Sequence, residues 1–310
     1  MKTKAKPALS TPQRISHALI GSIQDIVEAC GATAVFVYAD AMSGEELPLP
    51  DELKDKIYYI SKTPDEQQEQ EDRGTAFIRV PNVNLTRLGQ VKIAVFLALA
   101  KGFVHRGDII VCLTGMPASG TLDTLIITEV GRESEMFSSM QGDDNLPEGV
   151  LQQTVERVID IATELGSEGR EGKPVGALFV VGDAERVISL SRQLILNPFQ
   201  GYPEHERNIL DPALEETVKE LCTIDGAFVI RGDGVIETCG AYLKTALQDE
   251  EEYALPQGLG ARHHAAAGIT AVTNSIAITV SESTGTVTVF RNGHIVTEIE
   301  KPRQTTRKPD

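Results

Sequence analysis

Apolar positions recur along this chain in two periods, and the periods alternate. Helical spacing comes first: Ile15, Ala18, Leu19, Ile23, Ile26 and Val27 share one face, Ser10-Thr11-Pro12 supplies a start signal and Gly31 a stop. The run from Thr33 to Tyr38 is apolar almost throughout, which predicts a strand buried on both faces. Short strands are predicted at 57–60 and 76–80. Between them, residues 63–74 hold five carboxylates and three glutamines, the composition of a solvated loop or helix rather than a metal site. A second helix is predicted from Thr86 to Gly102, with Leu88, Val91, Ala94, Val95, Leu99 and Phe103 on or beside one face, and then strands at 108–114 and 124–130. Helices and strands in this alternation make an α/β unit.

The pattern restarts after 132–149, a stretch of turn composition containing Gly142, Asp143, Asp144, Asn145 and Pro147. Val150, Leu151, Val155, Val158, Ile159 and Ala162 form a helical stripe, and a glycine-rich loop over 166–174 leads into a strand over 175–182. Residues 183–210 carry no clear period beyond a turn at Asn197-Pro198-Phe199. A helix is predicted from Pro212 to Leu221, then a hairpin whose strands, 225–230 and 235–243, flank Arg231-Gly232-Asp233-Gly234. A polar, acidic loop over 244–257 precedes a helix after Gly260. Strands at 276–282, 286–291 and 294–299 close the sheet, joined by turns at Ser283-Thr284-Gly285 and Asn292-Gly293. The expected organisation is a flexible leader (1–13), a domain (14–131), a linker (132–149), a second domain (150–300) and a solvated tail (301–310).

Length and charge narrow the picture. The 310 residues suffice for two cores, and 45 acidic against 29 basic side chains give a net charge of -16, which argues against affinity for DNA, RNA or anionic membranes. Aromatic residues are 5% of the chain and Trp is absent, so stacking platforms for single strands are scarce. Cys30, Cys112, Cys222 and Cys239 form no CxxC pair and read as buried free thiols of a reducing compartment. The first residues lack the apolar core of a secretory signal, and the longest apolar run, 93–100, is too short to span a bilayer. A cytoplasmic protein is expected.

Any phosphate site must be a local exception to that acidity, and one stretch qualifies. Gly258-Leu259-Gly260-Ala261-Arg262-His263-His264 precedes a run of small helix formers, so backbone N–H groups, the helix dipole and a guanidinium converge where an anion can sit. Asp225-Gly226-Ala227 and Val280-Ser281-Glu282 likewise combine charge with a strand end, where α/β domains place ligands. Each segment alone also fits a turn, a cap or a solvated flank; their succession in one domain points to a site.

These segments, with Gly176-Ala177-Leu178, Gly240-Ala241-Tyr242-Leu243 and Thr284-Gly285, resemble the diadenylate cyclase family over residues 150–299. That family is marked by an Asp-Gly-Ala, an Arg-His-Arg preceded by glycine, and a Val-Ser-Glu strand end. In the first half, Gly107-Asp108-Ile109-Ile110-Val111-Cys112-Leu113-Thr114-Gly115-Met116-Pro117, then Ser119-Gly120-Thr121 and Val130-Gly131, resembles the end of the pyruvate kinase C-terminal domain. A kinase's catalytic barrel of roughly 250 residues is not expected before it. The effector loop of that domain is Ser/Thr-rich, whereas residues 39–46 here are acidic, which favours assembly or structural support over effector binding. Together the halves look like the soluble branch of the cyclase family.

The resemblance implies two α/β domains, a pyruvate-kinase-C-terminal-like sandwich and a cyclase domain with a mixed sheet. It implies condensation of two ATP molecules into cyclic di-AMP and two pyrophosphates, with Mn²⁺ or Mg²⁺, at half-sites facing one another in a homo-oligomer. By matching positions, Asp225 orients or deprotonates the attacking 3'-hydroxyl, Arg262 holds the triphosphate and His263 contacts phosphate or metal. Glu282 is a metal ligand, with Asp225 and His263 as further candidates. Gly176, Ala177, Leu178, Gly226, Ala227, Gly260, Ala261, His264 and Ser281 border the nucleotide, and Tyr242 and Leu243 border its adenine. Three departures stand out: His264 replaces the second arginine, Ala261 a frequent threonine, and Ser283 the second acid after Glu282. They keep open a catalytically silent adenine-nucleotide sensor on the same fold. DNA scanning, which in the family needs a helix-hairpin-helix domain, is not expected with eleven residues after Ile299.

Overall fold

The computed structural model describes residues 10–42, 49–62, 76–82, 86–116, 119–131, 146–244 and 258–300. The acidic stretch 63–74, the tail, and nearly all of the leader, the linker and the 244–257 loop lie outside the described residues. The chain divides into two compact units, one formed by residues 1–80 and 104–132, the other by 81–103 and 133–310.

In the first unit, helix α1 (Thr11–Cys30) starts in a capping box: the Ser10 N–H donates to Gln13 Oε1 at 2.8 Å and the Gln13 N–H to Ser10 Oγ. It stops at Gly31, whose φ of 69° is left-handed. Strand β1 (Ala34–Tyr38) is buried along its whole length. With β2 (Ile57–Ser61), β3 (Ala76–Arg79), β4 (Ile109–Thr114) and β5 (Thr124–Glu129) it forms a sheet of order β3-β2-β1-β4-β5, parallel except for β5. Ile20, Ile23 and Val27 of α1 share a core with Val35, Val37, Val111 and Leu113. Asp40 accepts hydrogen bonds from the Ser61 hydroxyl at 2.8 Å and the Lys62 N–H at 3.0 Å, so this member of the acidic 39–46 stretch holds the end of β2.

Helix α2 (Arg87–Ala100) departs from expectation. Sequence order places it in the first domain, yet it belongs to the second unit. Every residue from Gly89 to Leu99 is buried, including Gln90 and Lys92. A helix apolar nearly all round carries no stripe that ties it to the strands preceding it.

The rest of the second unit runs α3 (Gln152–Glu168), β6 (Ala177–Val181), α4 (Ala184–Ser189), β7 (Ser191–Gln193), α5 (Glu215–Leu221), β8 (Ala227–Ile230), β9 (Ile236–Leu243), α6 (Ala261–Val272), β10 (Ile276–Val280), β11 (Val287–Arg291) and β12 (His294–Ile299). The sheet order is β12-β11-β10-β6-β8-β9-β7, and β6–β8 is its parallel pair, so the sheet is mixed as expected. Helix α2 lies against β12, and α3 against β6, β10 and β11. Ala266, Ala267 and Ile269 of α6 pack on Leu178, Val180, Ala227, Val229 and Phe290. Within 183–210 the structure adds α4 and β7, which one or two turns of pattern cannot announce.

All four cysteines are free; Cys112, Cys222 and Cys239 are buried and Cys30 partly so. Burial pushes the Cys239 thiol up to about 11 and Cys222 higher still, so both stay protonated. Among the described residues no helix is long and apolar enough to cross a membrane.

Candidate active site

One cavity of about 1010 Å³ opens at the end of the second sheet. Strand direction explains how it forms. Gly176 lies one residue before β6 and Asp225 two before β8, its parallel partner, while Glu282 lies two after β10, which runs antiparallel to β6 with Val280 opposite Ala177. All three therefore reach the same end of the sheet. That is the amino end of the parallel pair, opposite to the carboxyl end where open α/β sheets usually place ligands.

Helix α6 brings Arg262 there. Its guanidinium spans both carboxylates, with Nη2 at 3.2 Å from Asp225 Oδ1 and Nη1 at 3.5 Å from Glu282 Oε2. The arginine side chain is 33% exposed and that of Asp225 91%, so the carboxylate stands open to solvent and the cation is partly enclosed. Gly176 makes room: a Cβ at that position would lie 2.8 Å from Arg262 Nη1 and 3.2 Å from Glu282 Cβ. The N-cap of α6 is Gly260, with no side chain capping the first turn, so N–H groups at the cavity wall await an acceptor.

Asp225 is held by a pair of glycines. Gly226 has φ of 114°, and a Cβ there would meet the backbone of Gly240 at 2.5 Å. The close approach seats the residue before β8 directly on β9.

The other expected residues separate into groups. Leu178, Gly226, Ala227, Tyr242, Leu243, Gly260, Ala261 and Ser281 line the cavity. Tyr242 is half exposed, with the Arg192 guanidinium 5.2 Å from its ring centre. The Ser281 hydroxyl lies 3.3 Å from that of Ser283 and accepts from the Thr284 N–H, inside the turn after β10. Ala177 is buried beneath the cavity. His264 is exposed and is not among the lining residues.

His263 is buried, its ring edge-on to Phe290 at 5.9 Å and its Nδ1 without a partner. Burial, and then the neighbouring charges of His264 and Arg262, hold its pKa below the ordinary value of 6.5. The imidazole is therefore neutral near pH 7. Among the described residues no three His, Cys, Asp or Glu side chains group as a metal centre, and the expected trio of Asp225, His263 and Glu282 is not assembled as one.

Several lining residues lie beyond the sequence reading: Leu194 after β7, Thr286 and Thr288 along β11, and Glu298 and Glu300 along β12. Thr288 pairs with Glu298 in register, so these polar side chains share one sheet face. Their even spacing was the available signal, but a polar alternation on the last two strands of a chain reads as a solvent face.

Residues 164–295 match the family described as "DisA bacterial checkpoint controller nucleotide-binding", and 16–137 match "Probable sensor domain DacZ_P". A diadenylate cyclase of Methanocaldococcus jannaschii is 40% identical over 204 residues, covering 66% of this chain and 63% of that protein. The chain thus aligns with a little under two thirds of that relative's length. A diadenylate cyclase of Haloferax volcanii is 34% identical over 229 residues, covering 72% of this chain and 80% of the relative. The chain belongs to the diadenylate cyclase family. Among solved structures, a double mutant of DacA from Staphylococcus aureus aligns at 22% identity and a TM-score of 0.30, over 46% of this chain and 85% of that one. Within the family frame, Asp225, Arg262 and Glu282 are the residues of the three segments that the fold brings within contact of one another.

Proposed function

We propose that this protein is a diadenylate cyclase that condenses two ATP molecules into cyclic di-AMP, releasing two pyrophosphates. The observation that carries the reading is the guanidinium of Arg262 between the carboxylates of Asp225 and Glu282 at an uncapped helix start. The triphosphate displaces the carboxylates from Arg262 and takes the N–H groups of the first turn of α6. Asp225, released, faces the attacking 3'-hydroxyl. Each 3'-oxygen bonds to the α-phosphorus of the other nucleotide, the bond from that phosphorus to its β-phosphate oxygen breaks, and Asp225 takes the hydroxyl proton. Arg262 stabilises the charge that collects on departing pyrophosphate. Adenine lies against Tyr242 and Leu243. His263, neutral, largely buried and on the cavity wall, fixes the first turn of α6 on Phe290.

The cavity wall carries Asp225, Glu282, Glu298 and Glu300 and, among its described residues, one fixed cation, Arg262. An ATP polyanion meets net repulsion there, which supports a requirement for Mg²⁺ or Mn²⁺. These ions are held by one or two carboxylates together with substrate phosphates, an arrangement that Asp225 and Glu282 fit without a third protein ligand. The ion, when bound, neutralises phosphate charge and polarises the α-phosphate. We assign the protein to the cytoplasm, where ATP is supplied, and to a homo-oligomer, because one chain carries one half-site. The sensor description of residues 16–137 supports reception of a signal by the first unit rather than assembly alone.

The test is incubation of purified protein with ATP and Mn²⁺ or Mg²⁺, followed by mass spectrometry for cyclic di-AMP, with Asp225→Asn alongside. Product from the wild type, and at least a hundredfold less from a variant that still binds ATP, is expected. Binding of ATP without product under either metal would establish the silent sensor instead.

A further inference from the structure

The cavity crosses neighbouring strands of the second sheet, and its lining changes character along them. In sheet order from β9 to β12 its chemical groups are Tyr242 on β9, Asp225 before β8, Arg262 over Gly176 at β6, Glu282 after β10, Thr288 on β11 and Glu298 on β12. Adjacent strands lie about 4.8 Å apart, so roughly 14 Å separates the arginine's strand from β12. The cyclase reading uses the groups from Tyr242 to Glu282. It leaves the β11–β12 end of the cavity without a task.

That end holds two buried polar atoms with nothing to bond. Alternation along β11 puts Thr288 on the same face as Phe290, which packs under α6. Thr288 is fully buried and its hydroxyl has no partner; His263, edge-on to Phe290, is 6% exposed and its Nδ1 has none either. Both residues line the cavity. Unmet buried polar atoms are rare in folded proteins, and two on the wall of one cavity mark the place of a polar ligand. Glu298 stands opposite Thr288 in register, and Glu300, two residues on, shares its face. Among the described residues no cation pairs with either carboxylate.

We propose that the β11–β12 end of the cavity is a second divalent-cation position, where Glu298 and Glu300 hold Mg²⁺ or Mn²⁺ together with the pyrophosphate that leaves ATP, while the Thr288 hydroxyl and the His263 Nδ1–H donate to its oxygens. This rests on the cyclase reading. With adenine at Tyr242 and the α-phosphorus between Asp225 and Arg262, the β- and γ-phosphates continue in sheet order toward β11 and β12. Two carboxylates at that end repel bare pyrophosphate. With a divalent ion, the same carboxylates and the phosphate oxygens form the ligand set that such ions take, and no third protein ligand is needed. The position is distinct from that at Asp225 and Glu282, because β12 lies two strands, or about 10 Å, beyond β10. Both glutamates also lie outside the matched residues 164–295.

The experiment measures calorimetric binding of inorganic pyrophosphate, with and without Mn²⁺, to full chains of wild type, the double variant Glu298→Gln/Glu300→Gln, and Thr288→Val. Melting temperatures and cyclic di-AMP formation are recorded on the same preparations. Without metal, the double variant should bind pyrophosphate more tightly than wild type, because two repelling charges are gone. With Mn²⁺ it should bind more weakly, by roughly tenfold or more. That reversal of sign is what a cation held by these glutamates produces. Thr288→Val should weaken binding of pyrophosphate with Mn²⁺ about fivefold, while its melting temperature holds or rises, since it deletes a hydroxyl that the free protein leaves unmet. Equal or tighter binding with Mn²⁺ in either variant, or none by wild type, overturns the proposal, and product formation by wild type then leaves the cyclase reading intact. A wild type that shows the reversal against the double variant but makes no cyclic di-AMP keeps the cation position and ends the cyclase reading.

Discussion

Gly176→Ala tests the reasoning most directly, because it adds one methyl group beneath the arginine and alters no functional group. Its Cβ would lie 2.8 Å from Arg262 Nη1 and 3.1 Å from Cζ, so the guanidinium must retreat by about 0.6 Å to regain ordinary contact. The contacts at 3.2 Å to Asp225 and 3.5 Å to Glu282 then open or rearrange. A displacement of about 1 Å at reacting groups costs on the order of a hundredfold in rate, which makes roughly tenfold the expectation here. Stability should move little. Gly176 does not occupy the left-handed region, so alanine is tolerated, and its restriction of the unfolded chain contributes up to about 1 kcal/mol in the stabilising direction. Against that stands the displacement of a partly exposed, flexible side chain. Steady-state cyclisation of ATP and a thermal melt on the same preparation make the assay. A melting temperature within about 4 °C of wild type is expected, together with turnover down roughly tenfold. Undiminished turnover at unchanged KM would refute the placement of Arg262 over Gly176.

Two further substitutions probe what surrounds the site. Gly226→Ala puts a methyl group into the Gly240 backbone at a φ of 114°, where no side chain can bend away, so destabilisation of about 3 kcal/mol or more should appear as a lowered urea midpoint. His263→Gln addresses acid stability. The buried imidazole has a folded pKa below 6.5, so as pH falls below 6.5 the unfolded chain takes up a proton before the native protein does. The stability associated with the neutral ring is complete above pH 6.5 and is lost as pH falls toward the folded value. Urea midpoints at pH 7.5 and pH 5 should thus differ less in His263→Gln than in wild type, and equal slopes would contradict the burial argument.

Much of this architecture can be read before any coordinates, and what escapes has identifiable causes. The helix start at Ser10-Thr11-Pro12, the buried run of β1, the hairpin at 231–234 and the three closing strands are announced by patterns that repeat over several residues or by turn chemistry. Asp225, Arg262 and Glu282 stand out because charge follows or precedes a strand or glycine break. The contact among them does not, since it depends on β10 running antiparallel to β6. Helix α2 is recognisable as a helix but not as part of the second unit, because a side chain's partner across the chain leaves no local trace. His263 has polar chemistry and a buried position; helical phase beside Ala266 and Ala267 gives the burial, and its chemistry suggests the opposite.

The parallel pair β6–β8 has a consequence for how the chain assembles in time. Hairpin β8–β9 and meander β10–β11–β12 join strands adjacent in sequence and can close within microseconds, each on its own. Strand β6 pairs with both groups across long stretches of chain, and the two groups join in one sheet through it. The pairings that shape the cavity end of the sheet are thus long-range ones. Seating β6 does two things at once: it joins the hairpin to the meander and brings Gly176, at its head, beneath Arg262.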